Sequence, residues 1–207
     1  MRIAVIAANG RSGQAFVEEA LLAGHTVIAG IHGRSFLKPN ENLELRDCDA
    51  TKEEDLEKLI KGADCVASFI GHVKDSAPRV QTEAIKKVIK VCDKLGVKRL
   101  VSLTGTGVRF TGDHVTFMDV LLNLSIGIID PNRVNDGIAH VEELKKSKLD
   151  WTVIRVLKLQ NVPPKLFTLR PNGPTKLFVG RVEVAKAVMQ VISSGSFIKQ
   201  APIIGKP

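Results

Sequence analysis

The chain has 207 residues, enough for one domain with a substantial core, and 44% of them are hydrophobic. No apolar run is long enough to span a membrane, and the first one meets a glycine turn within ten residues, which does not read as a signal peptide. The net charge of +8 is uneven: residues 144–207 hold 12 Lys or Arg against Asp150 and Glu183, whereas residues 1–143 hold 18 against 20.

Ile3 to Ala7 is an apolar run of strand length, broken by Asn9-Gly10. Gly13 follows, and Phe16, Val17, Ala20 and Leu21 then keep helical spacing until Gly24. Val27, Ile28 and Ile31 make a second strand. A strand, glycine turn, helix and strand in this order form the unit a parallel sheet requires. The turn, Ala7-x-x-Gly10-x-x-Gly13, lets backbone N–H groups approach a pyrophosphate at the N-terminus of the following helix. The alternative is a plain strand-to-helix turn.

Asn42 to Asp47 reads as a third strand, followed by Asp47-Cys48-Asp49-Ala50. Thr51-x-x-Glu54 is a capping-box pattern opening a helix that Gly62 ends. Asp64 to Ile70 is a fourth strand, ending at Gly71. A helix from about Ala77 carries Val80, Ala84, Ile85, Val88, Ile89, Cys92 and Leu95 on one face, and Gly96 ends it. Lys98 to Thr104 is a fifth strand, and Gly105-Thr106-Gly107 opens a loop. Val115 to Leu124 reads as an apolar helix with Ile126 to Asp130 as its tail, and Arg133 to Lys146 as a polar-faced helix. Trp151 to Leu157 is a sixth strand. Prolines and Gly173 break residues 160–175 into loop. Arg181 to Ser193 is a last helix, and Ala201 to Ile204 adds an edge strand.

Strands alternating with helices predict an α/β fold: a single Rossmann-like domain over residues 1–207, a doubly wound parallel sheet with helices on both faces. Its ligand belongs at the carboxyl ends of the strands, where Ala7–Gly10, Ile31–Ser35, Asp47–Ala50, Phe69–Gly71 and Thr104–Gly107 should converge. Cys48, Cys65 and Cys92 show no paired spacing and read as buried thiols in a reducing, cytoplasmic compartment. The basic C-terminal third suits an anionic ligand, a nucleic-acid surface or a solvated basic face; no recognised nucleic-acid motif accompanies it. No His/Cys/Asp/Glu set has metal-ligand spacing.

AANGRSG after the first strand resembles the GATGxxG of atypical short-chain dehydrogenases/reductases. RDCDAT, GADCVASFIG, GVKRLVSLTG, LDWTVIR and VGRVEVAKAV are similar to the family's later segments in sequence and in place. The resemblance covers nearly the whole chain and is closest to the NAD(P)H-binding branch of flavin/biliverdin reductases and NmrA-like proteins. Ala7 departs from the family's first glycine, and Val156 from the Pro after the strand-six Arg. The chain has no tyrosine, so the Tyr-x-x-x-Lys acid of the wider superfamily is absent. The flavin/biliverdin branch also manages without it.

The dinucleotide candidates are Asn9, Gly10, Arg11, Ser12 and Gly13 in the turn, His32, Arg34 and Ser35 after strand two, and Phe69, Ile70 and Gly71 after strand four. By resemblance, Asp49 and Ala50 flank the adenine pocket. No carboxylate stands between Ala29 and Asn40, where an NAD site usually places one. Arg34 suits a 2′-phosphate, so NADP(H) is expected over NAD(H).

By resemblance, Thr104 matches a hydroxyl near the nicotinamide, with Ser102 below it. His140 stands one helical turn from Gly137, where relatives carry Lys or His. Each has a plainer reading, as a satisfied strand-end hydroxyl or a surface histidine. Residues 108–135 and 157–178 are the expected substrate-side loops for a small planar or anionic substrate, and their apolar members Phe110, Phe117, Met118, Leu121 and Phe167 suit a flat ligand. The resemblance implies an NADPH-dependent reductase of a flavin, quinone or tetrapyrrole-like acceptor, or a non-catalytic NADP(H) sensor. The oligomeric state is left open.

Overall fold

A computed structural model describes residues 1–72 and 76–207. Strand β1 (Arg2–Ile6) runs into helix α1 (Arg11–Leu22), then β2 (Thr26–Ile31), β3 (Leu43–Asp47), α2 (Glu53–Ile60), β4 (Cys65–Ser68), α3 (Val80–Leu95) and β5 (Arg99–Gly105). The second half continues with α4 (Phe117–Ile129), α5 (Pro131–Lys146), β6 (Asp150–Val156), β7 (Lys158–Gln160), β8 (Thr168–Arg170), β9 (Phe178–Gly180), α6 (Arg181–Ser194) and β10 (Ile203–Gly205). The main sheet has the order β3-β2-β1-β4-β5-β6-β10-β8, parallel except where β8 runs against β10.

Two apolar cores lie on opposite faces of this sheet. Ile3 and Val5 of β1 face α1 and α6, with Phe16, Val17, Val184 and Val188. Ala4 and Ile6 face α2, α3 and α5, with Leu56, Ile85, Val88, Val141 and Leu144. The two-residue alternation of a strand therefore feeds both cores, and for this reason the central strands read as unbroken apolar runs.

Most expected elements stand where the periodicity placed them, and the departures have local causes. The capping box does not form: α2 begins at Glu53, and the Thr51 hydroxyl donates to Asp49 Oδ1 at 2.6 Å. A turn, Val80 N–H to Ala77 O, precedes α3, which starts three residues later than expected. Helix α5 starts at Pro131, whose missing N–H is no loss there, and the Asp130 side chain accepts from the Arg133 N–H at 3.2 Å. Residues 160–175 are not wholly loop. They include β8, which takes the sheet edge and leaves β10 inside it, while β7 and β9 pair in a separate two-stranded sheet. Helix α4 is one continuous helix through Ile129, and the only residue of it that is buried is Asp119.

Candidate functional site

The five loops expected to converge do leave one edge of the sheet. Ile6 pairs with Ser68 and Ser68 with Ser102, while Ile31 pairs with Asp47, so the strands end level in two groups.

The first turn is set by close backbone approach. A Cβ on Gly13 would stand 2.3 Å from Ala7 O and 2.8 Å from Ala8 Cα, so only glycine lets α1 lie against β1. Ala7 takes φ +57°, a conformation that costs an L side chain about 1–2 kcal/mol and that glycine adopts freely. Gly10 is the N-cap of α1, with no side-chain cap and no acid in the first turn. The N–H groups that open α1 are therefore uncapped by side chains, at the positive end of the helix dipole.

Asn9 and Gln14 tie this turn to its neighbour. Asn9 Nδ2 donates to His32 O at 2.8 Å and to Arg34 O at 3.4 Å, and Gln14 Nε2 donates to Asn9 O at 2.6 Å. Asn9 thus fixes the β2 loop by its amide. His32 and Arg34 are exposed at that loop, with the Arg34 guanidinium 5.8 Å from the Phe36 ring centroid. Ser35 Oγ accepts the Leu37 N–H at 3.2 Å and shapes the loop locally. Arg11 is exposed, Ser12 half-buried. Arg11 shares its surroundings with Arg181 at the start of α6, whose pKa is lowered by burial and by the Arg11 charge.

At the end of β3, Asp49 Oδ1 accepts the Thr51 N–H and hydroxyl. Mainly through those bonds, its carboxyl lies below the usual range. Ala50 packs on the α2/α3 core. Phe69 packs on Phe16 with centroids 5.1 Å apart, on the α1 face, whereas Ile70 turns to the opposite core. Ile70 O accepts from Gln81 Nε2 at 2.7 Å, and Gly71 is exposed beside it.

Ser102 and Thr104, two residues apart on β5, both face α5. A Cβ on Gly137 would stand 2.7 Å from Thr104 Oγ1, so glycine admits the Thr104 hydroxyl beneath the helix. One turn along, His140 is only 3% exposed and its Nε2 lies 3.1 Å from Ser102 Oγ. His140 is therefore an interior residue under Thr104, not a surface histidine. Among the described residues, its Nδ1 has no hydrogen-bond partner. An orphaned N–H costs more than a bare lone pair, so the favoured tautomer donates from Nε2 to Ser102. Burial drives its pKa down to about 4, against a smaller upward pull from Asp136.

Several residues that organise this edge carried no periodic signal. Asp136, on α5, accepts the Gln81 N–H at 2.8 Å and the Thr82 N–H at 2.9 Å, capping α3 from another helix, and meets His72 Nε2 at 2.8 Å. Burial raises its pKa, but these bonds outweigh it and hold the carboxyl below the usual range. Arg155, 0% exposed in an apolar strand, uses all five donors: Nε to Ala201 O at 2.7 Å, Nη1 to Val108 O and Asp113, Nη2 to Asp113 Oδ1 at 2.8 Å and Pro171 O. It binds the loop after β5 to the loop before β9. A charge inside an apolar strand was the visible signal for it.

The expected apolar acceptor set is dispersed. Phe110 packs on the α2/α3/α5 core with Arg155 over its ring, and Phe167 on the α1/α6 core. Phe117, Met118 and Leu121 are exposed on α4. The three cysteines are buried, with thiol pKa values pushed up to about 12 chiefly by burial. Among the described residues, no cluster could hold a metal ion and no helix is long and apolar enough to cross a membrane.

Comparison with known proteins places this geometry. No curated protein matches the sequence. Among solved structures, the chain is similar to a short-chain dehydrogenase/reductase from Veillonella parvula in complex with NADP, with TM-score 0.84, 17% identity, and 100% of this chain and 94% of that one covered. It is also similar to the oxidoreductase ylbE from Lactococcus lactis, with TM-score 0.79, 15% identity, and 100% and 91% covered. A third is ChuY, an anaerobilin reductase from Escherichia coli O157:H7, with TM-score 0.77, 17% identity, and 100% and 98% covered. At such identities these likenesses establish the shared fold. Residues 7–194, most of the chain, match the model of the NAD(P)H-binding family, and the chain belongs to that family.

Proposed function

We propose that this protein is an NADPH-dependent reductase that delivers hydride to a planar acceptor such as a flavin, a quinone or a tetrapyrrole-like molecule. The observation that carries this reading is how little acid–base chemistry, among the described residues, reaches the end of β5. There is no tyrosine, the Ser102–His140 pair is buried, and the Thr106 hydroxyl donates to Asp119. Among the described residues, that leaves Thr104 at the strand's end, itself buried, with its hydroxyl against Gly137. Reduction of a flat conjugated acceptor needs little proton delivery from the protein. The solved reductase of similar fold acts on an anaerobilin, which supports that acceptor class.

The cofactor end fits a dinucleotide through its own residues. The uncapped N–H groups of α1, with Arg11 beside them, suit a pyrophosphate. Arg34 and His32, presented by the loop that Asn9 fixes, suit a 2′-phosphate. When bound, the nicotinamide supplies the hydride. Thr104 orients the acceptor or relays a proton through water, while Ser102 and His140 support it from beneath.

The same shortage of acid–base groups also favours a second reading, a non-catalytic NADP(H) sensor of the NmrA-like kind. Steady-state oxidation of NADPH against a panel of flavins, quinones and linear tetrapyrroles separates the two. Turnover at ordinary enzyme rates is expected, whereas tight NADPH binding without turnover on any acceptor would establish the sensor. Charge-assisted bonds to a 2′-phosphate contribute roughly 1.5–3 kcal/mol, so NADPH should bind about ten- to a hundredfold tighter than NADH. Arg34→Ala should remove most of that gap and leave NADH affinity nearly unchanged. Equal affinities in the parent would refute this role for Arg34.

A further inference from the structure

Helix α4 has its polarity reversed. Its inward side is anchored by a polar group, with Leu122 and Ile126 half-buried beside it: Asp119, 2% exposed, accepts from the Thr106 hydroxyl at 2.6 Å and from Asn123 Nδ2 at 2.7 Å, and pairs with Arg109. Asn123 Nδ2 also donates to Thr106 Oγ1 at 3.0 Å. These bonds fix the rotation of the helix, so its outward side is specified by the structure and is not a slipped or loosely packed face. That outward side is apolar from end to end: Phe117 is 78% exposed and Ile129 82%, with Val120, Leu121, Leu124 and Ile128 between them.

We infer that the outer face of α4 is a docking surface for a second copy of this chain, packing α4 against α4 about a two-fold axis. The six side chains together expose on the order of 700 Å², close to the ~800 Å² that each partner gives a standard interface and above the usual largest patch on a monomer. Phe117, Leu121, Leu124 and Ile128 follow one another at steps of four, three and four, the seam along which two helices interlock. A Cβ on Gly127 would meet nothing, which leaves room there for a second backbone.

The face carries no formal charge, because Asp119 is the helix's one ionisable residue and it points inward. A two-fold contact sets each patch against its own copy, so a face without charge meets no self-repulsion. The same fact argues against a membrane surface, since a helix lying in an anionic interface needs Lys or Arg flanking its apolar side. A single planar acceptor is also a poor match. Thirteen residues make a ridge about 20 Å long, and a flat molecule would cover only part of it.

Sedimentation equilibrium over the micromolar range tests this inference. The parent is expected to be a dimer. Leu124→Glu and Ile128→Glu, each present twice at such a contact, should both sediment as monomers, with association weakened at least about a hundredfold. Both sites are exposed, so far-UV circular dichroism and NADPH affinity should match the parent. A parent monomeric throughout the range would overturn the proposal, and so would variants as dimeric as the parent. A monomeric parent that pellets with phosphatidylserine-containing vesicles would assign the face to a membrane instead.

Discussion

His140 gives the sharpest quantitative test of the interior. Its imidazole is buried between α5 and β5, with Nδ1 unpartnered among the described residues, and burial lowers its pKa from 6.5 to about 4. The unfolded chain therefore binds a proton between these values that the folded chain does not. Stability rises with pH across that window and is lost as pH falls from about 6.5 toward 4. From the two pKa values, the loss is about 2 kcal/mol at pH 5 and approaches about 3 kcal/mol below pH 4.

The assay is urea unfolding of the parent and His140→Gln at pH 7, 6 and 5. Glutamine keeps a donor toward Ser102 but does not titrate. The depressed carboxyls Asp113 and Asp136 release their share of stability only as pH falls through their lowered values, and both proteins have them in common. The difference between the two proteins thus isolates His140. The parent should lose about 2 kcal/mol more than the variant between pH 7 and pH 5. In thermal melts that corresponds to about 4–8 °C for a chain of this length. Parallel pH profiles for the two proteins would show that the ring is solvated, and the interior placement of His140 would be refuted.

Two further substitutions report on backbone architecture. Gly13→Ala puts a Cβ 2.3 Å from Ala7 O, so unfolding by urea should show a loss of about 1–3 kcal/mol, with weaker NADPH binding. Stability equal to the parent would mean that α1 can move away from β1. Asp136→Ala removes the cap from α3 and the partner of His72, and should cost about 2–4 kcal/mol in the same measurement. Hydrogen exchange should quicken at Gln81 and Thr82 first; unchanged protection there would refute the capping role.

The sequence by itself determined the layered α/β plan. Apolar runs of strand length, apolar stripes at helical spacing, and Gly24, Gly62 and Gly96 at helix ends are local signals that survive packing, because each states its own period or its own backbone requirement. Gly10 and Gly13 were legible for the same reason. What only the tertiary structure decided are the polar contacts between distant residues. Asp136 caps a helix some fifty residues earlier in the chain. Arg155 gathers Val108, Asp113, Pro171 and Ala201 around one guanidinium. Asp119 draws α4 onto Thr106, so an apolar helix expected on the substrate side turns its apolar side to solvent. No periodicity encodes such pairings. A buried charge must find its partner wherever the chain brings one, and the cost of leaving it unpaired outweighs the local preference of the helix that carries it.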